Sequence, residues 1–143
     1  MKSLLCACII SYCAVASSGC GSNAAGMELL GSYSVMISSM GKSDPDVMTV
    51  TPGTDDKLLF TFAAGITTDV GAVNANGLRA DLKSSSMIAI AAQPAHIDHS
   101  TGSLSGMVTG DGSLNGDGTC DVMLHFVGDG STQQDYEISG TKE

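Results

Sequence analysis

The chain has 143 residues and a formal net charge of −9, with 15 acidic and 6 basic residues. Its length matches a single domain, which excludes a multidomain enzyme, a TIM barrel and a dinucleotide-binding domain with its partner domain. The acidic balance excludes a nucleic-acid-binding protein, because such proteins need a clustered basic face.

The first twenty residues have the order of a secretory signal peptide. Lys2 gives a positive start, residues 4–16 form an uncharged and mostly apolar run of 13, and small residues follow. A membrane-spanning helix takes about 20 apolar residues, so this run is short for one. We therefore expect residues 1–19 to be a cleaved signal peptide of an exported protein.

Two cleavage sites compete after the apolar run. The sequence Ser17-Ser18-Gly19-Cys20 resembles a bacterial lipobox, with Ser17 at a place where that motif usually has an aliphatic residue. The resemblance implies a diacylated Cys20 that anchors the protein to a membrane of the bacterial cell envelope. The alternative site follows Ala16, because residues 14–16 fit the A-x-A pattern, and it would give a soluble periplasmic or secreted chain.

Residues 20–28 are small and mostly uncharged, as a flexible tether requires, and residues 29–143 then form one domain. Cys120 is the one cysteine of that domain. We expect it to be a small buried hydrophobic residue, although cleavage after Ala16 would allow a disulfide with Cys20 in an oxidising compartment.

The domain alternates between apolar and polar residues with a period of two, and glycine, asparagine and aspartate separate the alternating runs. This pattern predicts short strands joined by turns, and no segment has helical periodicity. The first loop is expected at residues 41–45, turns are expected at residues 74–77, 111–112 and 115–118, and Pro94 is expected to end a strand. The runs are residues 30–37, 47–51, 57–63, 66–73, 78–83, 87–92, 103–110, 119–127 and 133–140.

These runs give about eight strands, and tight turns between successive strands favour an antiparallel arrangement. We predict an all-β fold, an antiparallel up-and-down barrel of about eight strands, with a β-sandwich as the alternative. The side chains expected inside include Tyr33, Phe60, Phe62, Phe126 and Tyr136. If these rings fill the barrel, they leave little room there for a ligand.

The order of signal, Cys20, short tether and Gly31-Ser32-Tyr33, followed by alternating strands, resembles small bacterial lipoproteins of the lipocalin-like kind. Gly31 and Tyr33 occupy the place of the lipocalin first-strand G-x-W, with Tyr for Trp. The resemblance implies a barrel that holds a small apolar ligand. Membrane-bound lysozyme inhibitors resemble the chain in architecture only, as lipoproteins with small β-barrels.

The densest group of metal-ligating residues is His96, Asp98 and His99, with His125 as a further candidate from another strand. Imidazole and carboxylate together suit zinc or copper. Surface histidines are the plainer interpretation, and we expect neither a metal nor another cofactor. Residues 111–116 match the first half of a calcium loop, but Val122 stands where the loop needs glutamate, so we expect a β-turn.

Other candidates for chemistry also have plainer interpretations. Cys120 and His125 are five residues apart, so on one strand they face opposite sides and cannot form a catalytic pair. The carboxylates of Asp44 and Asp46 are expected in a solvated loop. The scattered methionines are expected to fill the core.

We therefore expect an exported, lipid-anchored envelope protein that is monomeric and not an enzyme. Its first expected activity is binding of a small apolar ligand in the barrel. The alternative is an acidic module that binds a cationic protein, such as an envelope-active hydrolase that it would inhibit.

Overall fold

The computed structural model describes residues 24–63, 72–73, 77–99, 102–130 and 132–143. The expected signal peptide, Cys20 and most of the turn expected at residues 74–77 lie outside these residues. The described part contains helix α1 (Ala24–Met27) and nine strands. The strands are β1 (Gly31–Ser39), β2 (Lys42–Pro52), β3 (Leu58–Phe62), β4 (Ala72–Val73), β5 (Leu78–Leu82), β6 (Met87–His99), β7 (Gly102–Leu114), β8 (Thr119–Gly128) and β9 (Gln133–Lys142).

Eight of these strands form a closed antiparallel barrel. Each pairs with the next strand of the barrel along the chain, and β9 returns to pair with β1, with Ile37 opposite Ile138. The short β4 is the exception, because it pairs only with the second half of β6, and β3 pairs directly with β5. The up-and-down barrel expected from the alternation is therefore confirmed, rather than the sandwich.

The barrel has two ends, which we call the near end and the far end. At the near end β1 begins and β9 finishes, and α1 lies there. At the far end β1 finishes at Ser39 and β9 begins at Gln133. Among the described helices, none is long and apolar enough to cross a membrane.

The core is the inner face of the barrel, and the period-two alternation of the sequence selects it. Tyr33, Val35 and Ile37 face inward from β1, and Tyr136 and Ile138 face inward from β9. All five rings expected inside are buried, with at most 6% of their surface exposed. Burial of these side chains is the main favourable contribution to folding, because each removes apolar surface from water.

The expected loop at residues 41–45 is wrong, because β2 already begins at Lys42. Ser39 pairs with Lys42, so Met40 and Gly41 form a two-residue hairpin turn. Their φ angles of 51° and 77° are those of a turn whose twist matches the flanking strands. This early start places Asp44, Pro45 and Asp46 within the sheet.

Strand β6 continues through Pro94, where the sequence predicted its end. Ala91 and Ala92 form a bulge in the pairing with β7, and both are exposed. Ile88 and Ile90 face inward before the bulge, whereas Ala95 and Ile97 face inward after it. The bulge therefore restores an inward apolar face that strict alternation would have lost.

A side chain completes the pairing beside this bulge. The Gln93 amide oxygen accepts a hydrogen bond from the Arg79 N–H at 3.0 Å, and the Gln93 amide nitrogen donates to the Arg79 carbonyl at 2.8 Å. One amide group thus satisfies both backbone groups of a β5 residue, as a neighbouring strand would.

Strand β7 includes Asp111 and Gly112, which the sequence predicted as a turn. Gly106, Gly110 and Gly112 occupy inward positions of this strand, and a Cβ atom at any of them would overlap the backbone of β8. Glycine here lets β7 approach β8 closely while the sheet curves.

Candidate functional site

The structure does not bring His96 and His125 together. His96 lies on β6, and β7 separates that strand from His125 on β8. Ser105 is opposite His96, whereas Thr109 is opposite His125, so the strand spacing and this offset place the two Cα atoms roughly 15 Å apart. The side chains of Asp98 and His99 lie outside the described residues.

His125 has a partner of a different kind. Its Nδ1 atom is 2.5 Å from the Asp135 carboxylate across the β8–β9 pairing, on the outer surface. No group of three His, Cys, Asp or Glu side chains placed to hold a metal occurs among the described residues.

The thiol of Cys120 is inside the barrel, as expected. Cys120 is 3% exposed, and burial raises its pKa to about 11, with a smaller contribution from the negative charge of Asp121. The thiolate is the reactive form of cysteine, so this group is chemically quiet at neutral pH. Because His125 faces outward from the same strand, the two cannot form a catalytic pair.

The segment that resembles half of a calcium loop forms the end of β7 and the turn into β8. The Asn115 amide donates to the Thr119 hydroxyl at 2.9 Å, and an Asp117 carboxylate oxygen accepts from the Thr119 N–H at 2.9 Å. The Thr119 hydroxyl also donates to Asp117 at 2.7 Å, and the backbone and hydroxyl bonds from Thr119 lower the pKa of Asp117, the backbone bond most. The turn expected at residues 115–118 is confirmed.

One side of the barrel carries acidic residues but no lysine or arginine at its outward positions. We call it the acidic face, and define it as the outward side chains of β7, β8, β9 and β1. Its carboxylates are Asp111, Asp121, Asp135 and Glu137, all exposed. The outward positions of these four strands contain no lysine or arginine. His125 lies among these outward side chains and contacts Asp135, but no ammonium or guanidinium group at the outward positions offsets the carboxylates.

Three of the five lysine and arginine side chains in the described residues, Lys57, Arg79 and Lys83, cluster on the other side of the barrel. Lys57 and Lys83 both approach Asp81, with the Lys57 ammonium 2.5 Å from a carboxylate oxygen. The hydrogen bond from Lys57 is the main cause of the lowered pKa of Asp81. Arg79 lies next to them on β5, so the barrel has a polarised charge distribution.

The methionines correct the expectation that they fill the core. Met48 is fully buried, but Met36, Met107 and Met123 are 42–45% exposed on the acidic face. Val127 is also exposed there, opposite Met107. Met27, Met40 and Met87 are exposed elsewhere. The acidic face therefore offers apolar contact area as well as negative charge. Methionine side chains are flexible, so they can adapt to an irregular surface.

A shallow apolar recess lies at the near end, between α1 and the barrel rim. It has a volume of about 430 Å³. Its apolar lining comes from Met27, Leu30, Pro52, Leu58 and Leu82. The five buried rings lie on the inner face of the barrel, whereas this recess lies at its near end.

The far end carries polar side chains on the inner face, which the sequence did not predict. Asp44 is 9% exposed and Asp46 is half-buried, and both face the interior rather than a solvated loop. Nearby, the Gln134 amide donates to the Ser39 hydroxyl at 3.0 Å, and that hydroxyl donates to the Asp135 carbonyl at 2.6 Å. The missed signal was the Met40-Gly41 turn, which determines which side chains of β2 point inward.

The fold and these surfaces define a closed eight-stranded antiparallel β-barrel with a polarised exterior. No family model, no curated protein and no solved structure matches the chain.

Proposed function

We propose that this protein acts by binding, and that its acidic face docks a cationic protein. The observation that carries the proposal is the set of exposed carboxylates and methionines on four neighbouring strands that have no lysine or arginine at their outward positions. Complementary charge attracts a basic partner from a distance, and methionines supply apolar contact after docking. A cationic hydrolase of the cell envelope has the right chemistry, and docking would inhibit it if its active site were covered.

The test uses lysozyme as a cationic probe. Association should be fast at low ionic strength and should weaken strongly as salt is added, because salt screens charges that are exposed to solvent. The double variant Asp121→Asn/Glu137→Gln should bind several-fold more weakly. Binding kinetics on a sensor surface measure both effects.

A matched control keeps the net charge of the variant but leaves the acidic face intact. Asp55 and Asp56 lie in the exposed β2–β3 turn with φ near +60°, a conformation that asparagine tolerates. Asp55→Asn/Asp56→Asn should bind lysozyme as the parent protein does. An equal loss in the control, or binding that salt does not change, would exclude the acidic face as the docking surface.

A small apolar ligand is the second candidate, now at the near-end recess. The recess volume of about 430 Å³ falls in the range of small-molecule sites. A neutral naphthylamine dye should brighten on binding there. Met27→Trp, which fills the recess, should abolish the signal, whereas Met40→Trp at the far end should preserve it. Equal signals from the two variants would refute this candidate.

Export and lipid anchoring on Cys20 belong to the same proposal, and they would place the acidic face at a membrane of the envelope. The sequence pattern before Cys20 is their support. Mass spectrometry of the mature N-terminus should find a diacylated Cys20, and Cys20→Ala should release the protein from the membrane fraction. A mature chain that begins at Ser17 would instead establish cleavage after Ala16.

A further inference from the structure

A groove lies on the outer surface of the barrel between β5 and β6, outside the acidic face. It has a volume of about 800 Å³. Strand β5 pairs with β6 only at Asp81 and Leu82, so backbone pairing between these two strands does not extend to Arg79. We call this feature the side groove. The described residues that line it include Lys57, Leu59, Arg79, Asp81, Ala91 and Ala92.

Three strands hold the lining of the side groove in place. Leu59 on β3 lies directly opposite Arg79 on β5. On the other side, Ala91 and Ala92 form the exposed bulge of β6. The Gln93 side chain forms hydrogen bonds with both backbone groups of Arg79, at 3.0 and 2.8 Å, so it links β6 to β5 across the groove. The backbone of Arg79 is therefore fixed between two apolar surfaces.

The charges in the side groove do not cancel. Asp81 is the one carboxylate among the described residues that line it. The Lys57 ammonium lies 2.5 Å from one Asp81 oxygen, and the Lys83 ammonium lies 3.7 Å from the other. The positive charge of the exposed Arg79 is additional to these pairs. The side groove therefore carries a local excess of positive charge, in a chain whose formal net charge is −9.

The guanidinium group of Arg79 has no partner within the part of the chain that the structure describes. Its N–H groups form no hydrogen bond and no ion pair there. A guanidinium has five N–H donors in one plane, and they match the two oxygens of a carboxylate. Such a pair forms two parallel charge-assisted hydrogen bonds. Arg79 is thus available to bind an anion in the side groove, whereas Lys57 and Lys83 are engaged by Asp81.

We propose that the side groove binds a small organic anion that has a planar carboxylate and a flat apolar body. The carboxylate pairs with the Arg79 guanidinium. The apolar body lies on Leu59, Ala91 and Ala92, and covers apolar surface that water otherwise contacts. The volume of about 800 Å³ falls within the range of small-molecule sites, which likewise combine an apolar lining with a few polar groups. The side groove is separate from the acidic face, so this proposal does not depend on docking there.

Calorimetric titration of the full chain with 1-naphthoate tests this site. We expect saturable binding that weakens as salt is added, because salt screens a charge that is exposed to solvent. The neutral amide 1-naphthamide has the same rings without the charge, and it should bind at least about tenfold more weakly. Acetate has the carboxylate without the rings, and it should also bind at least about tenfold more weakly.

Three variants locate the binding. Arg79→Gln removes the guanidinium and should weaken 1-naphthoate binding about tenfold or more. Arg79→Lys keeps the charge but loses the planar pair of donors, so its loss of affinity should be smaller. Ala92→Glu places a competing carboxylate in the groove and should abolish binding. Both positions are exposed, so the variants should fold, and their melting temperatures check this.

Two control variants separate this site from other parts of the surface. Lys42→Gln removes one positive charge at the far end, and Met27→Trp fills the near-end recess. Both should bind 1-naphthoate as the parent protein does. The proposal is overturned if 1-naphthamide or acetate binds equally well, if Arg79→Gln leaves the affinity unchanged, if either control loses affinity as Arg79→Gln does, or if no saturable binding occurs.

Discussion

The carboxyl group of Asp46 is a single group whose burial disfavours folding when it is ionised. Burial raises its pKa, so the folded state disfavours its ionised form. Protonation of Asp46 therefore favours the folded state. This contribution to the free energy of unfolding is fully present below the unfolded-state pKa, near 3.8, and it is lost as the pH rises through the higher folded-state pKa. At neutral pH the ionised group therefore destabilises the barrel.

Asp46→Asn should raise the melting temperature at pH 7 by a few degrees, because asparagine has no charge to bury. The gain should shrink toward zero as pH falls below about 3.8, where the parent carboxyl is protonated too. Thermal unfolding followed by circular dichroism over a pH series measures this. Asp121→Asn, on the exposed outer surface, is the control and should show no such gain. A gain that does not depend on pH would contradict the assigned cause.

Cys120 shows what residue types alone can predict. Its place in an alternating run indicated a buried side chain, and the structure agrees. Asp44 shows the limit of such reasoning, because a charged residue after a glycine suggests a solvated loop. Its actual orientation depends on the two-residue turn at Met40 and Gly41, and one residue more in that turn would have turned Asp44 outward.

At the scale of elements, the glycine residues of β7 determine how closely this strand packs against β8. Gly106, Gly110 and Gly112 leave its inner face bare at three positions, and the edge of the Phe126 ring lies beside Gly106. Neighbouring side chains thus fill space that the strand does not. This arrangement combines close approach of two backbones with a filled interior.

Gly110→Ala should lower the free energy of unfolding by about 1–3 kcal/mol, the range for a methyl group forced into a packed core. The added Cβ would overlap the Met123 carbonyl oxygen on β8. Gly116→Ala is the matched substitution in the exposed turn, where the nearest atom would be 3.9 Å away, and it should have little effect. Urea denaturation measures both. Equal losses would mean that close approach is not the reason for glycine in β7.

Element boundaries were harder to predict than element faces. The run at residues 119–127 matched β8 because its alternation is unbroken, and Cys120 and Phe126 are buried as that alternation predicts. The second half of β6 was missed, because the bulge at Ala91 and Ala92 shifts the alternation by one residue. Pro94 was then predicted to end the strand. In the structure the strand continues through Pro94 and lacks only the backbone N–H donor at that position.

At the scale of the whole molecule, the number of backbone pairings between neighbouring strands differs around the barrel. Strand β8 pairs with β7 and with β9 from one end to the other. Strand β5 pairs with β6 only at Asp81 and Leu82, and with β3 over Leu58–Phe60. The circumference is therefore weakest at β5, on the side that also carries Lys57, Arg79 and Lys83.

Hydrogen exchange should reveal this difference. Backbone amides of β5 should exchange markedly faster than those of β8, because local opening needs fewer pairings to break. Gln93→Leu, which removes the two hydrogen bonds to Arg79, should accelerate exchange in β5 further and leave β8 unchanged. Mass spectrometry of peptide fragments resolves the two strands. Uniform exchange around the barrel would show that it opens only as a unit.

The pairing of β1 with β9 has a consequence for how the molecule is made. A ribosome releases β1 long before β9, so one edge of the first strand stays unpaired until β9 has been synthesised. A chain stalled or cut before Gln133 keeps two open edges, and both are templates for pairing with another copy. Incomplete synthesis of this protein should therefore yield fragments that aggregate through intermolecular β-sheet, rather than shorter functional proteins.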